Sequence, residues 1–167
     1  MHHLLISALV AAAACSSPST PEPTPDPIWP DDWQDTFTQV RPCRRSIDHD
    51  LVYVTIHANE IGTPSYENRD APFPKGSIVL KVEYADEGCT ELKGYTVMQR
   101  REAGYDDAGG DWHWQRADAS RVVSLDGKSS QPAADPPTPV DRCVKCHEGC
   151  GKPPEGFDWT CSAVNAE

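Results

Sequence analysis

The densest chemistry in this sequence is the run Cys143-Val144-Lys145-Cys146-His147. Two thiols separated by two residues, with an imidazole immediately after, match the C-x-x-C-H haem attachment signature. The sulfurs can bond the two vinyl groups of one haem while the histidine points at its iron. A short helix supplies that geometry, with Asp141 placed to cap it and Gly149 to end it. The residues also admit other chemistry. Cys150 extends the run to C-x-x-C-H-x-x-C, a pattern that could bind zinc or an iron–sulfur cluster. Cysteines in an oxidising compartment can equally serve only as disulfides.

The compartment separates these readings, and the N-terminus speaks to it. Leu4–Ala14 is a short apolar run ending in small residues. It is too short to span a membrane and fits the core of a secretory signal over residues 1–14. Cys15 follows at once, as in a bacterial lipobox, although Ala12 stands where Leu is usual and no Lys or Arg precedes the apolar run. Cys15 is therefore the expected lipidation site and the only expected link to a membrane. Residues 16–30 contain six prolines and no apolar period. They read as an extended tether of about 45 Å at ~3.1 Å per residue. The folded part is thus expected outside the cytoplasmic membrane, periplasmic or lipid-anchored, where haem c is attached and disulfides persist.

Setting aside Cys15, Cys143 and Cys146 leaves Cys43, Cys89, Cys150 and Cys161. Of the three possible pairings, Cys150–Cys161 with Cys43–Cys89 is preferred. The first is local, and the second ties the N-terminal region to the rest. Each is expected to add about 3 kcal/mol.

The bulk numbers bound what surrounds this cluster. A chain of 167 residues predicts one domain, here residues 31–167. A net charge of −11 argues against nucleic acid, which is bound by a surplus of Lys and Arg. It suits a small substrate or a basic protein partner.

The elements that must position the cluster read mainly as strands. Asp31–Val40 is predicted as a short helix, with Trp33, Phe37 and Val40 on one face and Pro42 ending it. Leu51–His57, Ser77–Tyr84, Gly94–Arg100, Trp112–Arg116 and Arg121–Leu125 read as strands, with turn-rich sequence between the first two. In Ser77–Tyr84, Ile78, Leu80, Val82 and Tyr84 form the apolar face, while Val79, Lys81 and Glu83 point the other way. By alternation alone Lys81 is an ordinary solvent-facing lysine. The fold class is mainly β (α+β): an antiparallel sheet with short flanking helices and the C-terminal haem-attachment helix.

If His147 binds the iron on one side, the opposite side decides between an electron carrier and an open, reactive or gas-binding centre. Met98 lies mid-strand and reads as core. His49, His57 and His113 carry no mark of a strong ligand. An open distal site is the expectation.

The assembled motifs resemble the cytochrome P-460 family. The resemblance rests on Thr55–Asn59, on Phe73–Lys81, on Tyr95–Arg100 followed by Gly110–Trp114, and on Cys143–His147 followed by Phe157–Thr160. It covers roughly residues 43–161. It implies a mainly antiparallel β fold, usually a homodimer, with one five-coordinate haem c. Enzymes of that family oxidise hydroxylamine and carry a lysine cross-linked to the haem, and Lys81 matches that position. The related cytochrome c′-beta has the same fold without the cross-link and binds nitric oxide. The family often has Glu directly after this lysine. Here Val82 intervenes and Glu83 follows, so Glu83 is the candidate distal base. The implied partners are a small nitrogen-containing substrate or nitric oxide, and a periplasmic electron-transfer protein.

Overall fold

A computed structural model describes residues 23–47, 49, 51–129 and 139–161. The expected signal segment, residues 1–14, and the expected lipidation site Cys15 lie outside these residues. The architecture is a six-stranded antiparallel sheet in the order β1-β2-β3-β4-β5-β6, each strand paired with the next in sequence. The strands are β1 Thr38–Arg45, β2 Tyr53–Ala58, β3 Ile78–Tyr84, β4 Leu92–Arg100, β5 Trp112–Asp118 and β6 Val123–Gly127. Three α-helices accompany them: α1 Trp33–Thr36, α2 Thr63–Asn68 and α3 Pro139–Cys150. The mainly β expectation is met.

The alternation in β3 creates two different faces. Ile78, Leu80 and Val82 join Tyr95, Val97, Ala117 and Val123 in one buried cluster, closed over by Trp29 and Trp33. On the opposite face Val79 joins Met98, Trp112 and Trp114, and Val140 and Val144 of α3 pack there. Register carries this division across the sheet. Lys81 stands opposite Ile56 on one side and Thr96 on the other, and Thr96 stands opposite Arg116. Glu83 is 3 % exposed. The face that alternation assigned to solvent is therefore largely covered. Helix α3 packs on it with Val79, Met98 and Trp114, and His49, Thr96 and Arg116 flank Glu83, contacts that strand periodicity does not encode.

Three local expectations are corrected. The helix expected over Asp31–Val40 is only four residues long, and Thr38–Arg45 is the edge strand β1. Trp33, Phe37 and Val40 mimic helical spacing, yet Phe37 packs on the first cluster and Val40 on the second. Pro42 fits an edge strand, where its missing N–H can face away from the ladder, and the register shifts between Arg41 and Arg44 around it. Helix α2 occupies part of the stretch read as turn, starting at Thr63 with Pro64 in its first turn, where proline is tolerated.

The tether boundary also moves. Gln115 Nε2 donates to the Asp26 carbonyl at 2.9 Å, and the Ile28 amide donates to Gln115 Oε1 at 2.8 Å. Trp29 is 2 % exposed, and Arg121 donates to its carbonyl at 2.7 Å. The folded unit thus begins by Asp26, inside the proline-rich run.

Cys43 pairs with Cys89 and Cys150 with Cys161, at Cα separations of 6.0 and 4.9 Å. The first ties β1 to the turn after β3. The second closes the segment after α3 back on the helix end.

Candidate haem-attachment site

Helix α3 carries Cys143, Cys146 and His147 over the second face of the sheet. Val140 and Val144, one turn apart, anchor it, which sets the rotation of the residues between them. Cys143 and Cys146 are the two cysteines among the described residues that stand outside a disulfide. Cys146 is exposed, whereas burial raises the pKa of the Cys143 thiol. Asp141 lies in the first turn of the helix rather than at its cap, and the helix runs through Gly149 to Cys150.

His147 is the best-fixed side chain of the motif. Its Nδ1 lies 2.6 Å from the Trp159 carbonyl oxygen, which only accepts, so Nδ1 carries the proton. That leaves Nε2 as the lone-pair nitrogen. A metal-binding histidine characteristically donates its other ring N–H in this way. The ring meets the Trp114 indole edge-on at 4.8 Å. Its pKa is pushed down to about 3, chiefly by burial, with the charges of Lys81 and His49 adding to the effect and the Trp159 carbonyl opposing it. The imidazole is therefore neutral at physiological pH, the form that ligates iron.

Lys81 acts electrostatically on both His147 and Cys143, so the structure brings it to the motif. Glu83 lies further along the same face. Its carboxylate accepts from Thr96 Oγ1 at 3.2 Å, with His49 Nδ1 at 3.6 Å and an Arg116 guanidinium nitrogen at 3.8 Å. Burial pushes the Glu83 pKa up. The His49 contact and the charges of Arg116, His49 and Lys81 outweigh it, and the net shift is downward. The side chain is thus an ionised carboxylate in a buried, cationic setting, held there as a weaker base than an ordinary carboxylate. The His49 ring is 6.5 Å from that of His147.

His49, weighed as an axial candidate and set aside, lies at the site, and the sequence reasoning missed Arg116 and the Trp159 carbonyl. Arg116 could have been found from its place opposite Thr96 once the register was known. The Trp159 contribution is a backbone carbonyl and has no side-chain signature. The other axial candidates point elsewhere. His57 packs against Trp33 on the first face, with Thr55 Oγ1 3.0 Å away. His113 lies between the Tyr105 hydroxyl at 2.6 Å and the Asp126 carboxylate at 2.8 Å. Met98 is buried in the second cluster.

These residues fit a haem better than they fit zinc. Cys150 belongs to a disulfide, so the C-x-x-C-H-x-x-C run lacks its last thiolate. Among the described residues no group of three or more His, Cys, Asp or Glu is arranged to hold a metal ion. Two free thiols beside a neutral histidine with its Nε2 available match what a covalently held haem needs. Trp112 and Trp114 indole nitrogens and the Tyr66 hydroxyl are buried in the same face without hydrogen-bond partners. Such donors are costly to leave unmade, and an additional polar group on this face would satisfy them.

The chain matches no family model and no curated protein. No helix among the described residues is long and apolar enough to cross a membrane.

Proposed function

We propose that this chain is an exported mono-haem c-type cytochrome of the cytochrome P-460 kind, with an open distal iron site that oxidises hydroxylamine or a similar small nitrogen species. The observation that carries this reading is the fixed tautomer of His147, held by the Trp159 carbonyl on a helix whose two motif cysteines stand outside both disulfides. Cys143 and Cys146 would form the thioether links, and His147 Nε2 the axial bond. The haem would supply the redox-active iron. Lys81, whose charge acts on both His147 and Cys143, would adjoin the macrocycle. Glu83, ionised and close to His49, would take protons released as substrate is oxidised. The two disulfides fit an oxidising compartment. A periplasmic electron acceptor, a homodimer and a lipid anchor at Cys15 complete the proposal.

An optical spectrum of the haem-matured protein tests it. A five-coordinate haem c spectrum supports the open site, and a strongly red-shifted ferrous Soret band lost in Lys81→Arg supports a Lys81 cross-link and turnover. A five-coordinate spectrum without the red shift favours binding of nitric oxide or another diatomic gas instead. A complete absence of a Soret band sinks the haem reading.

One observation favours a second reading. His49 is the histidine that the structure brings closest to His147, so it is the natural sixth ligand of an electron-transfer cytochrome. A low-spin spectrum that becomes high-spin in His49→Ala would establish that role and exclude the open site.

A further inference from the structure

The carbonyl that orients His147 belongs to a turn that would not hold its shape unaided. Asp158 and Trp159 both have positive φ, at 41° and 71°. Neither is glycine, and such conformations are costly for residues with a Cβ and persist where surrounding contacts over-determine them. The turn is pinned by backbone bonds between Phe157 and Thr160 at 3.0 and 2.9 Å, and by the Trp159 amide to the Gly151 carbonyl at 3.2 Å. A Cβ at Gly151 would overlap the Trp159 backbone, and one at Gly110 would overlap its indole, so two glycines make room for this residue.

Asp158 supplies the long-range anchor. One carboxylate oxygen accepts from the Phe73 amide at 2.8 Å, and the other lies 3.3 Å from an Arg100 guanidinium nitrogen. The Arg100 and Asp158 side chains are 19 % and 15 % exposed, so water competes little for either. Arg100 also lies over the Trp112 ring at 5.6 Å, which fixes its stem against the sheet. The neighbouring carbonyl, that of Trp159, takes the His147 proton in its 2.6 Å bond. Sheet strand β4 is thereby linked to the imidazole through one carboxylate and one peptide unit.

We propose that Asp158 is a positioning residue for His147: by tying the 157–160 turn to Phe73 and Arg100, it fixes the Trp159 carbonyl that selects the His147 tautomer and aims Nε2. Its consequence for iron rests on the haem reading. The tautomer itself does not. Donation from Nδ1 to a fixed carbonyl makes the imidazole a stronger donor at Nε2 and favours ferric over ferrous iron.

The test uses Asp158→Asn in the full chain. Both partners of the carboxylate are donors, so an amide must turn its NH₂ toward one of them and lose that bond. In the haem-free chain, long-range proton–nitrogen NMR of His147 should show a single Nδ1–H tautomer in the parent and a mixture in the variant. In the haem-loaded chain the ferric preference should drop about tenfold, a rise of ~59 mV for a one-electron couple. The ferrous iron–histidine stretch should fall in frequency. Arg100→Met removes half of the clamp without touching the turn and should move each readout the same way, by less. A folded Asp158→Asn chain with parental tautomer and parental potential overturns the proposal. If that variant does not fold, an unchanged tautomer in Arg100→Met overturns it. If the chain takes up no haem, the functional reading fails while the tautomer measurement still decides the clamp.

Discussion

The two faces of this sheet are built from alternate residues of the same strands, yet they serve opposite ends. On the first, Leu80 and Val82 meet Trp29, Trp33, Tyr95 and Val97 in an apolar layer. On the second, Lys81 and Glu83 stand among Val79, Met98 and Trp114, under a helix carrying two free thiols and a neutral imidazole. One face spends its buried area on cohesion. The other accepts buried charge, with Glu83 held among His49, Arg116 and Thr96. Buried charge is weak evidence for stability and better evidence for a site. A single β3 strand thus feeds both an apolar layer and a face that holds buried charge.

The largest expected effect comes from neighbouring residues on opposite faces. Leu80→Ala, at a position with 0 % exposure, should cost about 3 kcal/mol in urea unfolding, read as a lower midpoint at unchanged slope. Lys81→Met should stay within about 1 kcal/mol of the parent. Equal losses in the two variants would erase the distinction between the faces.

Thiol alkylation sharpens the comparison within the site. Cys146 is exposed, whereas burial holds the Cys143 thiol protonated. In the haem-free chain at neutral pH, Cys146 should be labelled at least about tenfold faster, since the thiolate is the reactive form. Cys43, Cys89, Cys150 and Cys161 should label only after reduction. Mass spectrometry of the peptides gives the order, and labelling of any of these four before reduction would contradict the pairing.

The smallest effects are in the pH dependence of stability. Burial lowers the His57 pKa on the first face, so the unfolded chain binds its proton more readily. Its contribution is full above the ordinary value of 6.5 and is lost as pH falls below it toward the folded value. His57→Gln should flatten the stability profile there. The Glu83 pKa is also lowered, and its contribution is present above the ordinary value of 4.5 and lost as pH falls through the folded value. Glu83→Gln should flatten only this more acidic window. Identical profiles for parent and variants would show that neither group is linked to folding.

Much of the fold was readable from periodicity, because β3 to β6 are short alternating runs with turn residues between them. The misreadings have local causes. Trp33, Phe37 and Val40 have helical spacing by coincidence, and Pro64 reads as turn although it sits in the first turn of α2. Within the site, the thiols and His147 were legible because they lie together in one five-residue run of sequence. The burial of Glu83 was not, since a single strand cannot show that His49, Thr96 and Arg116 come to surround its side chain. Nor was the Trp159 carbonyl, although three glycines crowd that segment, at 110, 151 and 156.

The strictly sequential strand order bears on the order of assembly. Every pairing in the sheet joins neighbours in the chain, so the sheet can close hairpin by hairpin without waiting for a distant partner. It is complete at Gly127, before Cys143 and Cys146 are reached. The two thiols lie on α3, which follows the completed sheet in the chain and is expected to dock after it. Pulse-labelling hydrogen exchange during refolding should find β3 and β4 protected before α3. Simultaneous protection would mean that helix and sheet form as one unit.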